Sequence, residues 1–307
     1  MQYDKKYQPL VSVGIPTCNR PDSLRRTLEC VTGQTYTNLE IIVSDNCSSC
    51  PETEIVVREF MVKDDRIRYF KQEWNKGPLN NFKFVLETAT GEYFIWAADD
   101  DVLVENFIEQ CVSELNKKGT DYVAAVMEAQ YFDEKQRFEY FSEGGMFYNF
   151  ASNDKMERLH FMLKYNYGNL YYSLFRKDAL FDSGKSYFEC VNVKSLNEIS
   201  LFLFVAQNGN WLVIPRIGIY KRTSLETYEQ ARWEIEGGRL PNAAGLSHYK
   251  KMPYIFKYHL SALNSVLSAI NRLRMGAMGK IKLKLLSLYY LVRHFCFFIV
   301  RRKRRVS

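Results

Sequence analysis

The sequence predicts an α/β protein, a mostly parallel sheet flanked by helices, with a helical, basic C-terminal extension. Three observations predict it. Short apolar runs alternate with amphipathic segments from residue 10 to residue 97. A polar segment follows three of those runs at the point where a strand would end. The last acidic residue is Glu236, and the rest of the chain is basic.

Taken in order, Leu10–Ile15 (LVSVGI) is a short apolar run closed by Pro16, which reads as a buried strand. Pro21-Asp22-Ser23 opens a helix through Thr32, with Leu24, Leu28 and Val31 on one face. Leu39–Ser44 is a second strand, ending at Asp45-Asn46, and Glu52–Val62 a second helix. Ile67–Phe70, Pro78–Thr88 and Tyr93–Ala97 supply a third strand, a third helix and a fourth strand, with Gly91 as a break. Such alternation builds a parallel sheet with helices on both faces, and ligands bind at the carboxyl ends of its strands. Beyond it, the pattern predicts helices at Val104–Lys117, Asp154–Lys164 and Ser195–Gln207, and strands at Tyr122–Ala129, Leu170–Phe175 and Trp211–Ile214.

The chain has 307 residues and 47% hydrophobic content, enough to bury a core, which excludes a disordered polymer. Net charge is +7, but residues 237–307 hold 15 Lys or Arg and no acid, leaving 27 basic against 35 acidic residues before them. An acidic body with a basic tail points to an anionic partner for the tail. A stripe of Phe256, Leu260, Leu263, Leu267 and Ile270 predicts a helix over 255–275. Leu285–Val300 is nearly all apolar and ends in Arg301–Arg305. Sixteen residues fall short of the ~20 that a bilayer-spanning helix needs, and Arg293 in mid-segment makes spanning costly, although the sequence leaves open whether 285–300 lies on or crosses a membrane. An interfacial segment on an anionic membrane surface fits better, and a solvated tail on a core helix is the plainer alternative. With no nucleic-acid motif and an acidic body, nucleic acid is not the expected partner. Seven scattered cysteines and no leader-like start suggest a reducing, cytoplasmic setting, with Cys47-Ser-Ser-Cys50 as free loop thiols.

Chemistry concentrates where strands end. Asp99-Asp100-Asp101 follows an apolar strand, and three adjacent carboxylates repel one another unless a cation joins them. Hard oxygens at a sheet edge suit Mg²⁺ or Mn²⁺, which bridge to phosphates. A solvated loop or a helix cap is the competing reading. Asp45 ends the second strand, where a carboxylate can accept from a ribose hydroxyl or a base N–H, or cap a turn with Asn46. Pro16–Arg20 ends the first strand in a polar turn. Neither G-x-G-x-x-G nor a Walker pattern occurs, so side chains and a metal must hold any nucleotide.

These residues resemble a family. VSVGIPTCNRPDSLRRTLECVTGQTYTNLEIIVSDNCSS, then NKGPLNNF, then GEYFIWAADDD, is similar to the family 2 glycosyltransferases of the GT-A fold, across residues 8–110 and more loosely to 222. The resemblance implies a Rossmann-like sheet and an inverting transfer from a nucleotide diphosphate sugar. It places Pro16, Thr17, Asn19 and Arg20, with Asp45, at the nucleotide. Asn75, Gly77 and Asn81 fall near the donor. Asp99, Asp100 and Asp101 match the D-x-D region, with Ala98 at the commoner first Asp, Asp99 and Asp101 as metal ligands, and Asp99 and Asp100 also counted as donor-binding. Glu198 stands where the acceptor base would be, after Asn197 in place of an acid, and Glu189 is a weaker competitor. Tyr171 and Tyr172 fall on the segment near the acceptor, where they could stack on a sugar or pack in the core.

The division expected is a glycosyltransferase domain over 1–236, split into a nucleotide-sugar-binding half (1–110) and an acceptor half (111–236), and an extension over 237–307. The function expected is transfer of a sugar to a glycan or lipid-linked acceptor, in cell-surface polysaccharide assembly, by a protein peripheral to the inner face of the membrane. A non-catalytic nucleotide-sugar-binding module and a sugar nucleotidyltransferase are the alternatives.

Overall fold

The computed structural model describes residues 8–99, 101–132, 151–164, 168–191, 198–222, 263–264 and 266–303. Asp100, Asn197, the 133–150 segment and much of the 255–275 stripe lie outside the described residues.

The first hundred residues alternate as expected: β1 (Val11–Thr17), α1 (Pro21–Thr32), β2 (Leu39–Asp45), α2 (Pro51–Met61), β3 (Ile67–Lys71), α3 (Gly77–Thr88) and β4 (Tyr93–Trp96). Every residue of β1, β2 and β4 is buried, which is why these strands read as unbroken apolar runs rather than alternating ones. Each of the three helices carries a proline in its first two positions. There the fixed φ suits the helix and the missing N–H has no intrahelical acceptor to lose.

β2 and β4 both pair parallel to β1, and β3 pairs parallel to β2. The β1–β2 pairing runs to Thr17 opposite Asp45, but the β1–β4 pairing stops at Gly14 opposite Trp96. Gly14 accepts from Ala97 on the β4 side. Pro16 has the same parity and points to that side, beyond the last pair, so its missing N–H breaks no ladder bond. The strand therefore continues through Pro16 instead of ending at Ile15. Beyond these residues β1 and β4 separate, and the order of strands reverses between them. That is the switch point where open α/β sheets hold ligands.

The second half adds β5 (Asp101–Leu103), α4 (Phe107–Lys118), β6 (Tyr122–Phe132), β7 (Leu174–Arg176) and β10 (Asn210–Arg222), and between β7 and β10 in the chain comes a separate short hairpin, β8–β9 (Phe181–Asp182 and Lys185–Ser186). Among the described residues the main sheet has the order β3-β2-β1-β4-β7-β6-β10-β5. β7 runs antiparallel to β4 and β6, and β5 antiparallel to β10. The sheet thus couples a parallel half to an antiparallel one. Trp96 and Phe175 meet edge to face at 5.8 Å, as do Phe175 and Trp211 at 6.1 Å, and these rings bridge the two halves. The Arg176 guanidinium donates to the carbonyls of Leu115, Gly119 and Tyr122 and to the Tyr93 hydroxyl, fixing the end of α4 against β7.

Several expectations need correction. The strand expected over Leu170–Phe175 is a 3₁₀ turn over Gly168–Tyr172 followed by β7. Tyr171 is buried, with its hydroxyl 2.9 Å from that of Tyr187, so it belongs to the core and not to a sugar platform. The last strand is far longer than Trp211–Ile214, running to Arg222.

The described residues fall into two compact units. One lies within Met1–Asn149, Tyr172–Lys177 and Trp211–Ser247, the other within Phe150–Tyr171, Asp178–Asn210 and His248–Ser307. The second holds α5 (Lys155–Lys164), α6 (Tyr187–Val191), α7 (Glu198–Ala206) and α8 (Ala277–Lys303). In α7 every residue from Ser200 to Ala206 is buried. Buried Arg158 of α5 donates to the carbonyls of Ala206 and Gln207, which satisfies the end of α7.

α8 packs through Leu283 and Ser287, and Tyr290 bonds His160 of α5. Its other side exposes Met278, Ile281, Leu285, Leu288 and Tyr289. No helix among the described residues is long and apolar enough to cross a membrane.

Candidate functional site

The residues after β1, β2 and β4 come together at the carboxyl edge, within the first unit. Asp99 anchors the group. It is 7% exposed, its Oδ2 accepts from the Thr17 hydroxyl at 2.7 Å, and its Oδ1 accepts from the Arg20 guanidinium at 3.0 Å. The turn after β1 is thereby tied across the gap that the switch point opens. Arg20 remains more than half exposed, so its charge faces solvent at this edge.

Asp101 is 6% exposed at the start of β5. Its partner is Lys221, opposite it in the β10 register, with Nζ 3.4 Å from Oδ2. The same ammonium sits 3.8 Å over the Tyr172 ring. The Thr27 hydroxyl lies 3.2 Å from the carbonyls of both Ala98 and Asp101, pinning the acidic turn to α1. Asp99 and Asp101 are hard oxygen donors two residues apart. Among the described residues no group of three or more His, Cys, Asp or Glu forms a metal cluster. A two-carboxylate set of this kind suits a cation such as Mg²⁺ or Mn²⁺ whose remaining ligands are waters and phosphates.

Asp45 is fully buried. Its Oδ1 accepts from the Ser48 amide and hydroxyl at 2.8 and 2.5 Å, and its Oδ2 from the Tyr69 hydroxyl at 2.9 Å. Burial, and then the bond to Asp45, pushes the Tyr69 hydroxyl well above its ordinary pKa, so it stays a donor. Asn19 adopts a left-handed φ of 55°, a conformation Asn tolerates. Its side-chain oxygen accepts from the amides of Ser49 and Cys50, joining the β1 turn to the start of α2. The described cysteines, Cys47 and Cys50 included, are free thiols.

The loop after β3 closes the other side. Asn75 is exposed, and its Oδ1 accepts from Asn46 Nδ2 and from the Gly77 amide, both at 2.9 Å. Gly77 has φ +78°, a conformation glycine adopts at no cost. Asn81, on α3, bonds the ends of both β1 and β2. It is 4% exposed, its Nδ2 donates to the carbonyls of Ser44 and Thr17, and its Oδ1 accepts from the Ser44 hydroxyl at 2.6 Å. The amide is consumed in clamping the ends of β1 and β2 together.

Glu198 lies in the second unit, exposed in the first turn of α7. Glu189 is exposed in α6. Sequence reasoning missed Lys221, Tyr69 and Thr27. Lys221 stands beside Arg222 at the end of a strand, and only its pairing with β5 marks it.

Fold and site together define an α/β protein of the GT-A type. Residues 12–181 match the family described as glycosyl transferase family 2, more than half of the chain, and the chain belongs to that family. A Campylobacter jejuni protein named GalNAc(5)-diNAcBac-PP-undecaprenol beta-1,3-glucosyltransferase is 36% identical over 110 residues, 36% of this chain and 35% of that protein. An uncharacterized glycosyltransferase of Rickettsia typhi is 31% identical over 186 residues, 59% of this chain and 56% of that one. The chain therefore spans little more than half the length of these relatives, or less. Among solved structures, S. aureus TarS 1-349 superposes with a TM-score of 0.58 at 15% identity, covering 95% of this chain and 91% of that one. The same protein in complex with UDP-GlcNAc gives 0.56 at 13% identity, with the same coverage. At that identity the likeness is one of fold.

If Asn81 is a clamp, Asn81→Ala lowers unfolding free energy by about 1–3 kcal/mol, since it strips buried acceptors of their donor. Urea denaturation measures this. Unchanged stability with weakened nucleotide binding would show instead that Asn81 serves the ligand directly.

Proposed function

We propose that the protein is an inverting glycosyltransferase that moves a sugar from a nucleotide diphosphate sugar to a glycan or lipid-linked acceptor. One observation carries the reading: in a chain of this family, two buried carboxylates, two cations and the Asp45 loop meet at the strand switch point. In this reading Pro16, Thr17, Asn19, Arg20, Asp45, Asn75, Gly77, Asp99 and Asp100 build the donor site, and Asn81 holds its floor. Asp45, buried and held by Ser48 and Tyr69, is assigned to the base and ribose side of that site. Asp99 and Asp101 would hold a divalent cation, Mg²⁺ or Mn²⁺, which when bound neutralises charge on the departing diphosphate.

Inversion requires a single displacement. The acceptor oxygen bonds to the anomeric carbon as the bond from that carbon to the diphosphate oxygen breaks, and a base takes the hydroxyl proton. We assign the base to Glu198, supported by its exposed carboxylate in the first turn of α7 and by its place in the sequence pattern.

A membrane surface is the proposed second partner, with the protein peripheral to the cytoplasmic face and serving cell-surface polysaccharide assembly. Residues 278, 281, 285, 288 and 289 fall on one face of α8, opposite Leu283 and Ser287, and Lys282 and Lys284 flank them. An apolar stripe bordered by cations suits the plane of an anionic interface. The lipid-linked acceptor in the name of the Campylobacter jejuni relative supports the same setting.

Glu198→Gln is expected to lower transfer at least about 100-fold, the usual scale for a lost general base, while leaving donor binding intact. Asp101→Ala is expected to abolish the response of transfer to added Mg²⁺ or Mn²⁺. Full activity in both variants would overturn the mechanism. For the membrane, Ile281→Glu with Leu285→Glu should move the protein from the pellet to the supernatant in sedimentation with anionic vesicles. Unchanged sedimentation of the double variant would refute that docking face.

A further inference from the structure

Each carboxylate assigned to the cation is already paired with a basic side chain of the protein itself. Arg20 holds Asp99 at 3.0 Å, and Lys221 faces Asp101 at 3.4 Å. The two pairs differ in freedom. The Arg20 side chain is 55% exposed and can turn away into water. That of Lys221 is 15% exposed, sits on a strand in register with Asp101, and has its ammonium over the Tyr172 ring. It cannot leave Asp101 for bulk solvent without leaving that enclosure.

We propose that Lys221, assisted by Arg20, is an internal counter-ion that keeps Asp101 and Asp99 from a free divalent cation and releases them only when a diphosphate is present. The inference rests on the donor-site reading above and adds its regulation: metal and nucleotide bind as a coupled pair.

The ion pairs give the reason. Among the described residues Asp99 and Asp101 each face one side-chain cation. A divalent cation taking Asp101 alone would strip Lys221, a largely buried ammonium, of its partner and set a second positive charge beside it. A diphosphate arriving with the metal supplies anionic oxygens for both displaced side chains. The Arg20 guanidinium can meet phosphate oxygens as a two-pronged donor, and the Lys221 ammonium as a point charge. Free metal is thus bound weakly, and the site assembles with its donor. By linkage the coupling runs both ways, so metal strengthens nucleotide binding by the same factor.

The test follows the loss of the free Mn²⁺ paramagnetic resonance signal on titration with protein, alone and with UDP or GDP in parallel. Wild type is expected to take up Mn²⁺ weakly alone and at least about fivefold more tightly with nucleotide, the lower end of typical coupling. Lys221→Met should bind Mn²⁺ alone at least about fivefold more tightly than wild type and gain less from nucleotide. Lys221→Arg, which keeps the cation, should resemble wild type. Melting temperature gives a second reading that needs no activity: Mn²⁺ alone should raise it more in Lys221→Met and Lys221→Gln than in wild type. Equal Mn²⁺ affinity and equal shifts in all proteins would overturn the role of Lys221 while leaving the donor site standing. No Mn²⁺ uptake by any of them, with or without nucleotide, would overturn both.

Discussion

Two carboxylates buried within three residues of one another must be neutralised, and this constraint organises the carboxyl edge of the sheet. Asp99 and Asp101 are each less than a tenth exposed. Left alone they would repel each other and lose the hydration that ionised groups need. The protein meets the demand by drawing charge and hydrogen bonds from two separate elements, the Thr17–Arg20 turn after β1 and Lys221 of β10, while Thr27 of α1 holds the main chain of the acidic turn. β10 is the last strand of the first unit, so the acidic turn ties the antiparallel half of the sheet to the parallel half. A site built this way already holds cationic groups where a diphosphate would need them.

The fold was legible where burial is uniform and turns carry proline or glycine. β1, β2 and β4 announced themselves as apolar runs, and Pro21 and Pro78 marked the starts of two helices, while α2 starts at Pro51, one residue before the expected Glu52. Legibility fell where an element owes its existence to a distant partner. β5 has three residues and forms only because β10 lies alongside it. β10 continues through Pro215 and Gly218, which local propensity reads as an end. The β8–β9 hairpin has two-residue strands, too short for any period, although left-handed Ser183 and Gly184 suit its tight turn. Leu170–Phe175 looked like a strand because it is apolar, but its first part coils to bury Tyr171 against Tyr187.

The site was legible by type and less so by role. Asp45, Asp99 and Asp101 stood out as carboxylates ending apolar runs, and the structure places all three at one edge. Asn81 was visible as a polar residue in a motif, yet nothing in the sequence separates an amide facing a ligand from one clamping Thr17 to Ser44. Lys221 was invisible for the opposite reason: a basic residue beside Arg222 at the end of a strand is ordinarily a solvated one, and only the antiparallel register opposite Asp101 gives it meaning.

The central claim is that the switch point between β1 and β4 holds the donor through Asp99 and Asp101. Crystals grown with Mn²⁺ and a nucleoside diphosphate, measured at the manganese absorption edge, test it most directly. The expected map has one anomalous peak bonded to Asp99 or Asp101 and to a diphosphate oxygen, at roughly the 2.0–2.6 Å of hard-cation coordination, with the nucleoside against the Pro16–Arg20 turn and Asp45. A nucleotide bound away from that edge, or a peak with neither carboxylate in reach, would contradict it.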